Sequence, residues 1–501
     1  MNLTSLLRPY FMKRVAVSES WIDNAEATQR NELGMLLRHG SQCAWGREHN
    51  FRDIKTYEDF RERVEISPYE TIRPYVMRMI GGERDVLWPG RVKHFAQSSG
   101  TSDGKSKYIP ITDMSFSRSH FRGSSDVVAH YLHCRPDSRL FSGKAFILGG
   151  SFANELGTYA KGIRVGDLSA NLIDNINPLA EMVRVPSKKV ALMENWTEKL
   201  PALVESAKRQ NITNISGVPS WFLTVLRETI KSCGANTIHD VWPNLEVFFH
   251  GGISFKPYRE QYLNIVDRTK MHFQETYNAS EGFFALQNDL SDPSMLLLLD
   301  AGTFYEFKPI DNPASKPLAA WELEQGNIYE LIITGCNGLW RYPIGDTVKV
   351  ESTRPLKITI AGRTKHYINV FGEEVMVHNT DAAIAKASSM TGCEIANYTV
   401  GPIYSTPNSQ GRHQWLIEFN VRPNDMALFE TTLDECLCNE NSDYQAKRSG
   451  DIFLAPLTID TARKGLFDDW LATTGKLGGQ RKVPRLCNDR HIIDSMLKLN
   501  N

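Results

Sequence analysis

The chain has 501 residues, of which 41% are hydrophobic and 23% charged, and its formal net charge at pH 7 is −1. This length predicts two or more domains, and the near-zero charge excludes a global basic field that would attract nucleic acid or an anionic membrane. The sequence shows no signal-peptide pattern, no membrane-spanning apolar run and, among its eight cysteines, no Cys-x-x-Cys pair. We therefore expect a cytoplasmic, reduced and, by default, monomeric protein with no nucleic-acid or membrane partner.

The predicted elements change character along the chain. Residues 1–90 are predicted to form amphipathic helices, with 59–64 typical of a charged surface helix. The middle of the chain then alternates helices with short apolar runs that end near glycine, at 145–148, 245–249 and 329–334. Such runs indicate buried strands of an α/β body, which binds ligands at the carboxyl ends of its strands.

The pattern changes again after about residue 365. Residues 379–390 and 425–438 are predicted to be helical, and 396–400 and 413–419 to be strands. These four elements are typical of a small α+β domain that packs over the mouth of a larger one. We therefore predict a large α/β domain over 1–365, with mixed sheets and flanking helices, and a small mobile α+β domain over 366–501.

The most informative stretch is Ser98–Lys107, which reads Ser-Ser-Gly-Thr-Ser-Asp-Gly-Lys-Ser-Lys. Small residues let backbone N–H groups turn toward an anion, while hydroxyls add donors and lysines add charge, so the stretch suits a nucleotide triphosphate. It is not the Walker pattern, because Gly100 lies one residue too close to Gly104 and a strand follows. A solvated Gly/Ser turn is the alternative interpretation.

Four further motifs follow in order. Gly251-Gly252 ends an apolar run and could lie flat against a planar base, or simply end a strand. Residues 277–281, Tyr-Asn-Ala-Ser-Glu, could stack a base, bind phosphate and hold Mg²⁺. Asp346, placed just after a glycine turn, could accept hydrogen bonds from a ribose, and Arg363 could grip ribose or phosphate at a hinge. Ordinary turn and surface positions are the alternatives for both residues.

The order and spacing of these motifs resemble the adenylate-forming superfamily of firefly luciferase and acyl-CoA synthetases. Within that superfamily the chain resembles the auxin-responsive (Gretchen Hagen) family of acyl acid amido synthetases. The specific signs are Ser98–Thr101 with Lys107 before Ile-Pro-Ile-Thr, Gly217–Trp221, and the tail segments 441–448 and 477–485. The resemblance covers nearly the whole chain.

The resemblance implies a role for each matching residue. The serines and threonine of the loop would cradle the ATP phosphates, residues 251–253 would border adenine, and Tyr277 would pack on its face. Asp346 and Arg363 would bind ribose, and Glu281 would hold Mg²⁺. The implied cofactor-binding residues are Ser98, Ser99, Gly100, Thr101, Ser102, Gly251, Gly252, Ile253, Tyr277, Asn278, Ala279, Ser280, Glu281, Asp346, Arg363 and Lys482. Lys482, Ser98 and Thr101 would act in catalysis.

The implied activity is ATP-dependent. A small carboxylic acid would be converted to an acyl adenylate with release of pyrophosphate, and the amine of an amino acid would then displace AMP. This chemistry needs positioning and charge neutralisation rather than a nucleophilic side chain. Two alternatives stay open: an acyl-CoA ligase that uses the same adenylate, and a non-catalytic nucleotide-binding sensor. The identity of the acid and of the amine does not follow from the sequence.

Overall fold

The computed structural model describes residues 3–98, 106–154, 156, 159–255, 258–310, 312, 314–363, 367–406, 408–473 and 483–500. The chain divides into two compact units. The first consists of Met1–Ser98, Lys107–Gly252 and Leu263–Thr364. The second consists of Ser99–Ser106, Ile253–Tyr262 and Lys365–Asn501.

The α-helices are, in chain order, α1 (Leu3–Gly40), α2 (Ala44–Glu48), α3 (Tyr57–Arg63), α4 (Tyr69–Ile80), α5 (Phe121–Cys134), α6 (Leu168–Asp174), α7 (Pro178–Met182), α8 (Lys188–Ala191), α9 (Trp196–Ala207), α10 (Pro219–Cys233), α11 (Ile238–Val241), α12 (Arg259–Leu263), α13 (Val377–Thr391), α14 (Met426–Glu440), α15 (Ser442–Arg448), α16 (Leu466–Thr473) and α17 (His491–Leu499).

The strands are β1 (His94–Ser98), β2 (Lys107–Ile111), β3 (Lys144–Ile147), β4 (Arg164–Gly166), β5 (Arg184–Val185), β6 (Ile212–Gly217), β7 (Val247–Gly251), β8 (His272–Ala279), β9 (Gly282–Leu286), β10 (Met295–Leu297), β11 (Thr303–Pro309), β12 (Leu318–Ala319), β13 (Ile328–Gly335), β14 (Tyr342–Thr353), β15 (Leu356–Arg363), β16 (Tyr367–Ile368), β17 (Val375–Met376), β18 (Glu394–Ile403), β19 (Arg412–Val421) and β20 (Thr458–Ala462).

The first unit is built on a 12-stranded sheet in the order β12-β11-β13-β14-β15-β10-β9-β8-β7-β6-β3-β5. The strands β5, β3, β6, β7 and β8 are mutually parallel, and the others pair antiparallel from β8 to β12. A separate sheet, β2-β1-β4, carries the hairpin whose two strands end and begin at Ser98 and Lys107. The predicted mixed α/β body is therefore confirmed.

Helices cover both faces of the parallel strands. On one face α5 packs against β7 and β8, with the Tyr131 and Phe249 ring centroids 5.7 Å apart. On the other face α10 packs against β7, with Phe222 and Phe248 5.4 Å apart. Each sheet face buries alternate side chains of a strand, so a strand covered on both faces reads as the continuous apolar run seen in the sequence. A one-turn π-helical segment, Ser115–His120, leads into α5.

The first helix is tied to a distant part of the first unit. The Gln29 side-chain amide donates to the carbonyls of Leu299 (2.7 Å) and Thr303 (2.9 Å), and its oxygen accepts from the Tyr305 amide (2.9 Å). The helix is kinked at Asn24, where φ is −120°. None of the helices in the described residues combines the length and apolar composition needed to cross a bilayer.

The second unit contains a three-stranded sheet, β18-β19-β20, and the short pair β16-β17. The helices α13 and α14 lie together, and the Asn379 amide donates to the Glu440 carbonyl at 2.8 Å. A buried pair, His413 and Glu373, joins β19 to the segment between β16 and β17, with Nε2 and Oε1 2.9 Å apart. The predicted separate α+β arrangement of the C-terminal residues is confirmed, whereas its mobility and the functional boundary at residue 365 remain predictions.

Candidate active site

Two of the predicted motifs lie at one edge of the large sheet, where four parallel strands end. The strands β3, β6, β7 and β8 are neighbours and end at Ile147, Gly217, Gly251 and Ala279. We call this rim the carboxyl edge. Because parallel strands present their carboxyl ends at the same side of a sheet, the glycine pair and the Tyr-x-x-Ser-Glu motif are brought together here.

The glycine pair after β7 allows a close backbone approach. A Cβ on Gly251 would lie 2.4 Å from the Thr276 carbonyl oxygen, so no side chain fits between β7 and β8 at this point. Gly252 has φ of +84°, a conformation that L residues with side chains rarely adopt. The backbone here is therefore bare, as the approach of a planar ring requires. Ile253, which belongs to the second unit, is buried.

Tyr277 and Asp346 meet through a side-chain hydrogen bond. The Tyr277 hydroxyl donates to Asp346 Oδ2 at 2.6 Å, and the two residues are 4% and 7% exposed. Their strands, β8 and β14, are separated by β9, β10 and β15, which in a flat sheet would place them about 19 Å apart. The contact therefore requires the sheet to curve strongly, and the curvature brings the predicted base-stacking and ribose-binding side chains together.

Asp346 does not follow a turn, as the sequence pattern suggested. It lies inside β14, where the pairing with β13 shifts register and Gly345 has φ of +90°. A glycine with positive φ next to a register shift is typical of a β-bulge, which re-aims the side chains beside it. The prediction of a turn was wrong because Gly-Asp is common in turns, and the bulge depends on pairing with β13.

A lysine lies at the base of the predicted phosphate loop. Ser98 ends β1 and pairs opposite Lys107, which begins β2. Lys107 Nζ donates to the Tyr342 hydroxyl at 3.1 Å and lies 5.8 Å and 5.7 Å from the ring centroids of Tyr69 and Tyr342. Aromatic faces attract a cation, so the two rings hold this charge in place. Burial raises the pKa of Tyr69 to about 12, so its hydroxyl keeps its proton.

Glu281 is a buried carboxylate at the turn between β8 and β9. Its backbone carbonyl accepts a hydrogen bond from the Asn337 side chain at 2.8 Å, which fixes the turn. No group of three or more His, Cys, Asp or Glu residues that could hold a metal occurs within the described parts of the chain. A single carboxylate fits Mg²⁺, which typically binds one or two carboxylates and takes its other ligands from water and substrate phosphates.

A buried ion pair supports the start of β14. The Arg341 guanidinium donates from Nε and Nη2 to both Glu306 oxygens at 2.8 Å, and the two side chains are 4% and 1% exposed. Arg341 also has φ of +45°, and Nη1 donates to the carbonyls of Arg61 and Val64. Neither Arg341 nor Glu306 was predicted from the sequence to have a role. An arginine between Trp340 and Tyr342 in an apolar run was the signal that this charge is buried with a partner.

Only some of the remaining predicted site residues lie within the described parts of the chain. Ser98, Asn278, Ala279 and Ser280 are half-buried at strand ends. The backbone of Arg363 ends β15 directly opposite Asp346. Five of the predicted cofactor-binding residues lie outside the described residues: Ser99, Gly100, Thr101 and Ser102 of the loop, and Lys482 near the C-terminus.

Comparison with known proteins gives matches along most of the chain. Residues 15–271 match the GH3 family N-terminal domain, 296–363 the GH3 family central domain and 378–491 the GH3 family C-terminal domain. A probable indole-3-acetic acid-amido synthetase, GH3.1 of Arabidopsis thaliana, is 23% identical over 570 aligned positions that cover 98% of this chain and 95% of the relative.

Two solved structures share the fold. AtGH3.15, an acyl acid amido synthetase in complex with 2,4-DB, superimposes with a TM-score of 0.63 at 18% identity, covering 97% of this chain and 95% of its own. A 2-hydroxyisobutyryl-CoA ligase in the thioesterification state superimposes with a TM-score of 0.57 at 14% identity, covering 94% and 91%. At these identities the structural likeness concerns the fold alone.

Proposed function

The chain belongs to the GH3 family, and on that premise we propose that it is an ATP-dependent acyl acid amido synthetase. A carboxylate oxygen of a small acid attacks the α-phosphorus of ATP, the bond to the β-phosphate breaks, and pyrophosphate leaves. The amine of an amino acid then attacks the acyl carbon, the bond to the phosphate oxygen breaks, and AMP leaves. The ammonium proton is lost to solvent, so neither step needs a covalent bond to the protein.

The hydrogen bond between Tyr277 and Asp346 is the observation that carries this proposal. It holds a carboxylate in a fixed orientation beside an aromatic ring, next to the bare backbone of Gly251 and Gly252. A carboxylate accepts two hydrogen bonds from the neighbouring hydroxyls of a ribose, while the ring packs on adenine. Asn278 and Ala279 then lie along the nucleotide, and Arg363, paired with Asp346 in the sheet, assists at the ribose.

The phosphates are assigned to the other end of the nucleotide. Ser98, with Ser99, Gly100, Thr101 and Ser102 of the loop, donates to the phosphate oxygens, and Lys107 neutralises charge at the base of the loop. Ser280 lies beside the α-phosphate, and Glu281 would hold Mg²⁺. When bound, Mg²⁺ neutralises charge on the phosphate oxygens.

The C-terminal lysine completes the proposed site. Lys482 contributes positive charge during adenylation, when negative charge builds up on the phosphates. We assign residues 1–365 to ATP and acid binding and 366–501 to a lid that rotates between the two steps about residues 364–365. We also propose that the protein acts as a monomer in the cytoplasm, with no nucleic-acid or membrane partner.

The first experiment tests the reaction and its acceptor together. Purified protein is incubated with ATP, Mg²⁺ and a panel of carboxylic acids, and pyrophosphate release is measured; the best acid is then offered a mixture of amino acids or coenzyme A, and products are identified by mass spectrometry. We expect acid-dependent pyrophosphate release and an amide. A thioester without an amide would favour an acyl-CoA ligase, such as the 2-hydroxyisobutyryl-CoA ligase that shares this fold. No pyrophosphate release with any acid would favour a nucleotide sensor.

A second experiment tests Lys482. The Lys482→Ala variant is expected to lose most of its adenylation rate while its affinity for ATP changes little, because the charge matters most in the transition state. Single-turnover acyl-adenylate formation and equilibrium ATP binding separate the two quantities. An unchanged adenylation rate would contradict this assignment.

A further inference from the structure

Lys199 is a buried charge that the proposed chemistry does not use. It lies on α9 and is only 1% exposed. Its ammonium donates to the carbonyl oxygens of Gly149 (2.7 Å), Met193 (3.0 Å) and Gly150 (3.4 Å), which match its three protons. Burying an ammonium costs free energy unless its hydrogen bonds are satisfied. The buried lysine is therefore stable only while these three carbonyls stay in position.

Two of these carbonyls, those of Gly149 and Gly150, belong to the turn that follows β3 at the carboxyl edge, and the third, that of Met193, lies between α8 and α9. The same turn is held from the other side, since Ser169 Oγ accepts from the Gly150 amide (2.8 Å) and Asp167 Oδ2 accepts from the Ser151 amide (2.6 Å). A Cβ on Gly150 would lie 2.0 Å from Asp167 Oδ2. Hydrogen bonds therefore hold the turn from Gly149 to Ser151 on both sides. Lys199 donates to its carbonyls, and Ser169 and Asp167 accept from its amides.

Lys199 is also linked to the neighbouring turn of the carboxyl edge. Its ammonium lies 4.8 Å from the Trp196 ring centroid, and Trp196 packs edge-on against Trp221 with centroids 5.0 Å apart. Trp221 is in the first turn of α10, directly after β6. Since β3 and β6 are adjacent strands, the lysine and the two tryptophans clamp two consecutive strand ends together.

We propose that Lys199 is a positioning residue for the acid-binding end of the carboxyl edge. By holding the turn after β3 against the start of α10, it sets the affinity and selectivity for the carboxylic acid without touching it. This inference rests on the proposed function. The residues assigned to the nucleotide, Tyr277, Glu281 and Asp346, lie on β8, on the turn after it and on β14. The β3 and β6 end of the carboxyl edge therefore remains for the acid.

Protonation offers a way to perturb this clamp without mutation. Burial lowers the pKa of Lys199 to about 8, and Asp167, the charged group that acts on it among the described residues, partly opposes the shift. Above pH 8 the neutral amine has two protons for three carbonyls, so one contact is lost. An arginine at this position stays charged at every pH used.

The test measures KM for the acid and KM for ATP separately in pyrophosphate release, for the wild type and for Lys199→Met, Lys199→Arg and Trp196→Phe. We expect Lys199→Met to raise the acid KM at least tenfold while the ATP KM stays within about twofold of the wild type. Lys199→Arg should recover part of this loss of acid affinity. Trp196→Phe should raise the acid KM severalfold. The exposed Lys231→Met on α10 is the matched control and should change neither constant. In the wild type the acid KM should rise above pH 8, and in Lys199→Arg it should not.

Hydrogen–deuterium exchange over residues 149–151 provides a readout that does not need activity. Exchange should speed up in Trp196→Phe, in folded Lys199→Met and in the wild type above pH 8 beyond the intrinsic pH effect. Unchanged exchange in these samples, acid and ATP KM values that rise together, or identical pH profiles in wild type and Lys199→Arg would overturn the proposal. Absence of pyrophosphate release by the wild type would refute the proposed function and the acid-binding role of Lys199, while exchange would still show whether Lys199 orders the turn.

Discussion

The two ends of the carboxyl edge use charge in different ways. At the β8 end, Tyr277 and Asp346 hold each other through their side chains, and the proposed function assigns the Asp346 carboxylate to the ligand. At the β3 end, the Lys199 ammonium donates its hydrogen bonds to backbone carbonyls and is buried. Side chains that bind a ligand must occupy particular positions of the sequence, whereas a backbone turn can be held by a side chain from a helix elsewhere. Only the first arrangement leaves a motif in the sequence.

The largest expected effect concerns the support of β14, the strand that carries Asp346. Arg341→Met leaves the Glu306 carboxylate buried without its partner, so we expect a loss of about 3–5 kcal/mol in the free energy of unfolding. Denaturant titration measures it. Arg354→Met, which removes an arginine from an exposed pair with Asp23, is the control and should cost no more than about 1 kcal/mol. Equal losses in the two variants would show that the buried pair is not what supports β14.

The next effect tests whether the β8 end meets the nucleotide. Asp346→Ala removes a charged acceptor, so ATP affinity should fall by about 1.5–3 kcal/mol, roughly 10- to 150-fold. Calorimetric titration with ATP measures the loss, and Asp346→Asn, which keeps one acceptor oxygen, should lose less. Near-normal affinity in Asp346→Ala would refute the ribose role and remove the contrast between the two ends.

A third prediction tests whether water is excluded from the buried segment just before α5. Burial lowers the pKa of His120, just before α5, to about 4, below the ordinary value of 6.5. The unfolded chain therefore binds more protons between these values, and stability is lost as the pH falls through this window. Between pH 7 and pH 5 this single residue should cost about 2 kcal/mol of unfolding free energy.

Denaturant titration at pH 7 and at pH 5 measures this loss of unfolding free energy. His120→Gln should lose less stability than the wild type over that interval, whereas His133→Gln, at an exposed position of α5, should behave like the wild type. An identical pH response in His120→Gln and the wild type would mean that water reaches His120 and that this face of the sheet is not dry.

The smallest effect separates the ring of Tyr277 from its hydroxyl. Tyr277→Phe keeps the ring but removes the hydrogen bond to Asp346, so ATP affinity should fall by about 1 kcal/mol, roughly fivefold. The same titration as for Asp346→Ala applies. A loss as large as that of Asp346→Ala would show that the hydroxyl, rather than the carboxylate, makes the essential contact.

The fold class was predictable because a strand covered on both faces has a continuous apolar run, as at Val247–Phe249 in β7. The proposed roles of Tyr277 and Asp346 were predictable from motif order, yet their contact was not. It depends on the curvature accumulated over the intervening strands, and no local pattern encodes that curvature. The turn predicted before Asp346 was wrong for the same reason, since pairing between β13 and β14 decides the bulge.

Lys199 shows how a position can be missed. On α9 the buried residues Trp196, Lys199, Leu203 and Ala207 recur at helical spacing, so the lysine lies on the apolar face of its helix. A lysine in such a stripe is a signal of a buried charge, but the stripe is short and its orientation depends on contacts with the sheet. The sequence therefore indicates that this charge is unusual without indicating which carbonyls it holds.

The attachment of α1 has a consequence for synthesis of the chain. Gln29 emerges from the ribosome 270 residues before Leu299, its first carbonyl partner. At translation rates of about 5–20 residues per second, the helix waits roughly 15–55 s before it can dock. During that interval the Gln29 side chain also lacks its partners Thr303 and Tyr305 in β11. The attachment of α1 through Gln29 is therefore completed only after the chain has been synthesised past Leu299.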